Sequence, residues 1–204
     1  MFWYCINKHM QQLTNGQKLQ LAYRQHIALY SNYVQIAVTL TLKTTAKVRV
    51  KRYTNYGNDC YEFVDYLNED KINSRINYFS ALLRHELFGN LAKHKNKKHW
   101  ATPLVIAVTE GRNTLKRTHL HLAIGNIPKD KLGTIETTIN RLWQRCDFAN
   151  EQVCVKHLTN GIGWLGYITK EVGYTDNDAL NVVASTIPQF IQQSICTESR
   201  LLTA

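Results

Sequence analysis

The stretch THLHLAIG, Thr118–Gly125, places two histidines two positions apart in a run that is otherwise almost entirely apolar. Its alternation is typical of a β-strand, in which residues i and i+2 project from the same face. His119 and His121 are therefore expected to present two imidazoles side by side, while the leucines between and after them point into a core. Two such imidazoles can chelate one divalent ion. A purely structural pair is the alternative that the histidines alone leave open.

The strand that precedes this one supplies a candidate third ligand. If the hairpin between the two strands closes on Thr114 and Leu115, Glu110 lies directly opposite His119 and on the same face. A register shifted by one residue would turn Glu110 to the opposite face. Asn113, or an acidic residue elsewhere in the chain, could substitute for it. A carboxylate with two imidazoles leaves coordination positions open for a substrate phosphate.

Periodicity along the chain predicts an α+β protein, with a five-stranded antiparallel sheet and flanking helices packed on one of its faces. The other face is expected to stay available. The predicted strands are residues 33–43, 47–54, 101–110, 117–125 and 151–158, of which the first two form one hairpin and the next two another. The predicted helices are residues 16–32, 68–94, 128–143 and 164–173. We expect a single domain over residues 1–204, with an irregular tail after about residue 188.

The composition favours an acidic partner and excludes several classes of protein. The chain has 25 Lys and Arg against 15 Asp and Glu, a net charge of +10, and lysines crowd residues 93–98. Nucleic acid is the expected partner, although a basic surface that is simply solvated would have the same composition. Five widely spaced cysteines without a C-x-x-C pair indicate neither a disulfide framework nor a zinc ribbon. No apolar run approaches the ~18 residues of a membrane span, so we expect a cytoplasmic protein without a membrane partner.

A second candidate constellation is YITK, in the last predicted helix. Tyr167 and Lys170 are one helical turn apart, so a phenol and an ammonium are presented on one face. A phenol becomes a good nucleophile only when it loses its proton, and Lys170 is placed to assist that loss. An ordinary amphipathic helix with a half-buried tyrosine and a solvated lysine is the structural alternative.

The order of three motifs adds a family resemblance that covers residues 34 to 170. VTLTLK (38–43), then HLHLAIG, then a helix with YITK, resembles the rolling-circle replication initiators of the HUH endonuclease family. The resemblance implies a five-stranded antiparallel sheet with flanking helices. It implies that His119 and His121 hold Mg²⁺ or Mn²⁺, with Glu110 as the third ligand. Tyr167 would nick single-stranded origin DNA, forming a 5′-phosphotyrosine and a free 3′-OH, and later religate the strand, while Lys170 balances charge.

The resemblance also assigns partners and further contacts. The basic side chains expected to hold the DNA backbone are Lys43, Arg49, Lys51 and Arg52. No nucleotide-binding G-x-x-x-x-G-K-[ST] motif occurs, so a host helicase would unwind the DNA and a host polymerase would extend the 3′ end. The next tyrosine, Tyr174, follows Gly173 and is expected to be structural, which indicates a single-tyrosine enzyme.

Two alternatives stay open at this point. A single-tyrosine transposase or a plasmid relaxase would use the same chemistry, but relaxases usually place the tyrosine before the histidine pair, and such transposases commonly carry glutamine rather than lysine after it. The position of Tyr167 and the identity of Lys170 favour the replication initiator. The other alternative is a non-enzymatic module that binds single-stranded nucleic acid on an RRM-like sheet, in which both histidines and Tyr167 would be dispensable.

Overall fold

The computed structural model describes residues 13–54, 57–97, 99–112 and 117–201, except for the side chains of 51–54, 57–59, 95 and 198–201. The strands are β1 (Val34–Leu42), β2 (Thr45–Thr54), β3 (Gly57–Tyr66), β4 (Leu104–Glu110), β5 (His119–Gly125) and β6 (Ala149–His157). The helices are α1 (Asn15–Ala28), α2 (Glu69–Phe88), α3 (Ile135–Trp143), α4 (Ile162–Ile168) and α5 (Gln189–Leu201). The predicted α+β class is confirmed.

The main sheet has four antiparallel strands in the order β4-β5-β1-β6, so the prediction of a five-stranded sheet is wrong. The expected β1–β2 hairpin does not form, because β2 pairs instead with β3, a strand that was not predicted, in a separate two-stranded ladder. A cross-strand ion pair accompanies this ladder. Arg49 lies opposite Glu62, and their side chains form an ion pair at 3.5 Å.

The larger core lies on the leucine side of the histidine strand, as predicted. Leu120, Leu122 and Ile124 are fully buried there against α2 and α3. Helix α2 starts after Asn68, whose side chain accepts the Lys71 N–H, and its buried residues recur at helical spacing. It ends at Phe88 rather than at His94, because Gly89 has a φ of 52° and cannot continue the helix.

A second, smaller core covers part of the opposite face, so the prediction that helices pack on one face only is wrong. Ile106, Val108 and Ala123 point to this side and pack against α1, α4 and the chain after residue 172. The face stays open beyond these helices, toward β6. A groove of about 440 Å³ runs there, lined by Ala37, Thr39, Cys154, Lys156, Leu158, Trp164 and Tyr167.

The C-terminal part of the chain is ordered against the free edge of β4. Backbone bridges pair Val105 with Thr186 and Val108 with Leu180. Helix α5 then follows, with Ile191 buried in the smaller core, so the expectation of an irregular tail after residue 188 is wrong. Among the described residues, no helix combines the length and the apolarity that crossing a membrane would require.

Candidate active site

The sheet register brings the predicted ligands onto one face. Glu110 pairs with His119 across the β4–β5 ladder, as the sequence predicts. On the other side of β5, β1 places Thr41 opposite His119 and Thr39 opposite His121. The predicted turn residues Thr114 and Leu115, and the alternative ligand Asn113, lie outside the described residues.

A continuous chain of polar contacts links the two sequence constellations. Glu110 Oε2 lies 2.5 Å from His121 Nε2 and 2.7 Å from Lys170 Nζ. Lys170 Nζ also donates a hydrogen bond of 2.7 Å to Tyr167 Oη. The nucleophile candidate is therefore joined through one ammonium to the carboxylate and imidazole of the sheet, although Glu110 and Lys170 are far apart in the sequence.

Burial and pairing together set the charges in this cluster. Burial opposes ionisation of Glu110, but hydrogen bonds from Lys170 and His121 outweigh it and hold its pKa below the usual carboxyl range. Burial lowers the pKa of His121, and the neighbouring Glu110 offsets this only in part. Burial also opposes the charge of Lys170, yet its bonds to Glu110 and Tyr167 raise its pKa. At neutral pH the cluster therefore holds a carboxylate, a neutral imidazole and an ammonium.

The Thr39 hydroxyl can form a hydrogen bond with either neutral tautomer of His121. The Thr39 hydroxyl lies 3.0 Å from His121 Nδ1. A hydroxyl can donate to Nδ1 when Nε2 carries the ring proton, and it can accept from Nδ1 when Nε2 is free to ligate a metal. A partner of this kind on the far nitrogen is what orients metal-binding histidines in general.

Aromatic packing fixes the Tyr167 ring. The ring stacks on Trp164 at a centroid distance of 5.4 Å and meets the edge of His121 at 5.6 Å. Trp164 is itself anchored, because its Nε1 donates to the Leu122 carbonyl at 3.0 Å. Tyr167 remains 47% exposed, so the residue is held in place but still accessible to solvent.

Helix α4 ends at Ile168, so Lys170 lies in the turn that follows and not on the helix as predicted. Two contacts from distant elements fix this turn. The buried side chain of Gln20, on α1, donates to the carbonyls of Thr169 and Lys170 at 3.0 and 3.1 Å. Glu171 accepts the Gly111 N–H at 3.1 Å, which ties the turn to the end of β4 beside Glu110. The lysine is therefore positioned by tertiary contacts more than by helical periodicity.

Replacing Gln20 with alanine tests this positioning. Gln20→Ala leaves two carbonyls of the turn without their side-chain donor, so we expect a loss of about 1–3 kcal/mol in the free energy of unfolding. Lys18→Ala, at an exposed position of the same helix, is the control and should change it by less than about 0.5 kcal/mol. Urea denaturation measures both. Equal stability of the two variants would show that Gln20 does not hold the turn.

The donor types in the cluster suit Mg²⁺ or Mn²⁺, which bind carboxylate oxygen and, for Mn²⁺, imidazole. His119 is half-buried on the same face, next to the Glu110–His121 pair. Within the described ranges, however, no three His, Cys, Asp or Glu side chains are arranged as a ligand group. Glu110 and His121 are bonded directly to each other, and the Lys170 ammonium sits where a cation would bind Glu110. The donor atoms are of types that such an ion binds, but Glu110 Oε2 is already engaged by His121 and Lys170.

The predicted DNA-contact residues lie just beyond the end of β1 and on β2. Lys43 is exposed just beyond the end of β1, and with Lys47 it lines a second cavity, of about 480 Å³, at the base of the β2–β3 ladder. Arg49 is exposed and engaged by Glu62. The backbones of Lys51 and Arg52 lie in β2, while their side chains are outside the described residues.

Three residues of the cluster were not predicted from the sequence. The sequence contains a signal for Thr39, since it is a polar residue within an apolar strand and in register with the histidine face. The sequence also contains a signal for Trp164, because it precedes Tyr167 by three positions on the same helix. The sequence contains no signal for Gln20, since its partner Thr169 is 149 residues away.

No protein-family model, curated protein or solved structure matches this chain.

Proposed function

We propose that this protein is a metal-dependent, site-specific endonuclease and strand transferase for single-stranded DNA, acting as a rolling-circle replication initiator. The observation that carries the proposal is the contact chain from Tyr167 through Lys170 to Glu110 and His121, at the end of an open groove. A nucleophile, a cation and an anionic ligand pair meet there, as phosphoryl transfer to a protein side chain requires.

The reaction proposed is a transesterification at phosphorus. Tyr167 Oη forms a bond to the scissile phosphorus while the bond from phosphorus to the 3′ oxygen breaks. The phenolic proton is lost to solvent, and the departing 3′ oxygen takes up a proton to become the 3′-OH. One diester replaces another, so the same step run backwards religates the strand. A divalent ion held by Glu110, His121 and His119 would draw electron density from a phosphate oxygen.

The side chains of this protein supply the remaining requirements. The Trp164 stack and the His121 edge limit rotation of the Tyr167 ring, which favours in-line attack. The Lys170 ammonium beside Oη stabilises negative charge on the phenolate. The net charge of +10 and the basic β2 strand support a role for Lys43, Arg49, Lys51 and Arg52 in holding the DNA backbone.

Adduct formation on denaturing gels tests the proposal. The protein is incubated with a 3′-labelled, randomised single-stranded DNA library and Mn²⁺, and then boiled in detergent. We expect the label to migrate with the protein, because the phosphotyrosine retains the 3′ part of the strand. EDTA should reduce the adduct at least about tenfold, and His119→Ala should do the same. Binding of the library without any adduct would overturn the enzymatic proposal in favour of a binding module.

A further inference from the structure

The Glu110 carboxylate has two hydrogen-bond donors on the same oxygen. One oxygen, Oε2, receives both the imidazole of His121 and the ammonium of Lys170, and the Glu110 side chain is only 12% exposed. A carboxylate this buried is costly unless it is paired. Lys170 reaches it from a different element, the turn after α4, and its own side chain is 35% exposed. The cation at this carboxylate is therefore carried by a side chain that is partly exposed to solvent.

We propose that Lys170 is an internal cation that holds the metal position at Glu110 until a divalent ion displaces it. This inference rests on the proposed function, since the ion is the one proposed there. In the exchange, the ion enters, and Glu110 gives up its contacts with Lys170 Nζ and His121 Nε2. The imidazole stays neutral, because its ring proton is then on Nδ1, and Nδ1–H can donate a hydrogen bond to the Thr39 hydroxyl. The divalent ion and the Lys170 ammonium therefore compete for Glu110 Oε2.

The displaced ammonium has a partner in place. Lys170 Nζ already donates to Tyr167 Oη at 2.7 Å, and it lies 4.0 Å from the centre of that ring. Loss of the Glu110 contact therefore leaves the ammonium beside the phenolic oxygen. Metal loading would in this way transfer the charge of Lys170 from the carboxylate to the nucleophile. The protein without metal keeps Lys170 shared between the two, which limits attack by Tyr167 before the ion arrives.

Replacing Lys170 should have opposite effects on Mn²⁺ affinity and on adduct formation, and this distinguishes the exchange from a structural role of the lysine. Lys170→Met keeps the stem and removes the ammonium, so the ion no longer competes for Glu110 and Mn²⁺ should bind about tenfold more tightly. Adduct formation should fall in the same variant, because Tyr167 loses its cation. A merely structural lysine would weaken both properties together.

Calorimetric titration of the full chain with Mn²⁺ tests the exchange. Lys156→Met is the matched control, since Lys156 lines the groove beside Tyr167, and removing its charge should change Mn²⁺ affinity by less than about threefold. Lys170→Gln is a second variant in case the methionine disturbs folding, and it should also bind Mn²⁺ more tightly than the unaltered protein. Thermal unfolding checks that each variant is folded.

The outcomes separate the exchange from the proposed function. Unchanged or weaker Mn²⁺ binding by folded Lys170→Met and Lys170→Gln overturns the exchange, even if the unaltered protein forms the DNA adduct. Tighter binding by these variants, with Lys156→Met unchanged, supports the exchange even if no DNA adduct forms, and in that case only the proposed function fails. Absence of Mn²⁺ binding by the unaltered protein overturns the exchange.

Discussion

Tyr167→Phe is expected to abolish the covalent protein–DNA adduct, with a fall of at least about a thousandfold in its rate of formation. The substitution removes one oxygen atom, the proposed nucleophile, and keeps the ring. The stack on Trp164 and the edge contact with His121 need no hydroxyl, so the fold around the site should persist. Lys170 keeps its ion pair with Glu110. The loss should therefore be one of chemistry alone, measured as adduct per unit time on denaturing gels.

Tyr174→Phe provides the matched control. Tyr174 is a more exposed tyrosine, 64% against 47%, and it lies beyond Gly173, after the turn that carries Lys170. Its variant should form adduct at the normal rate and bind single-stranded DNA normally, and Tyr167→Phe should also retain DNA binding. Adduct that survives in Tyr167→Phe would assign the nucleophile to another residue.

Gly16→Ala is expected to destabilise the protein by about 3 kcal/mol or more, because nothing at this contact can yield without backbone movement. A Cβ at Gly16 would lie 1.8 Å from the Gly173 carbonyl oxygen. Gly173 is equally constrained, with a φ of 78° and 2.0 Å from its own notional Cβ to the Gly16 oxygen. Here α1 meets the chain just after Lys170, backbone against backbone. Urea denaturation should show a large fall in midpoint for Gly16→Ala.

Gly163→Ala is the control for that experiment. A Cβ at Gly163 would have no atom within 4 Å, and this glycine lies inside α4. Alanine in a helix is more favourable than glycine, so the variant should be unchanged or up to about 1 kcal/mol more stable. Equal effects at the two glycines would mean that the α1 contact is looser than the structure indicates. Adduct formation should fall with Gly16→Ala, because the turn of Lys170 would shift.

The histidine strand and its register could be predicted from sequence because a strand has a period of two residues. That period fixes which side chains share a face, and it placed Glu110 opposite His119 once the hairpin was assumed. The contact between Tyr167 and Lys170 was also predicted, although helical periodicity was the wrong reason. Helix α4 ends at Ile168, and the two side chains meet because Gln20 and Gly111 hold the following turn.

Two of the remaining errors have a common physical origin in long-range pairing. Local alternation identified β2 as a strand but carried no information on its partner, which is β3 and not β1. The second sheet face was expected to stay open, yet Ile106 and Val108 on that face are covered by α1, α4 and the chain after residue 172. Contacts of this kind depend on packing between segments that no local pattern relates.

Strand β1 lies between β5 and β6, which come later in the sequence. During synthesis, Thr39 can therefore contact His121 only after 82 further residues have been added, and Gln20 can contact Thr169 only after 149. Pairings over such separations make folding slow and concentrate it late in chain synthesis. A polypeptide still emerging from the ribosome would therefore carry the histidine strand long before the tyrosine could dock on it. The contacts that join Tyr167 to Glu110 and His121 would therefore form only after the segment that carries Lys170 has been synthesised.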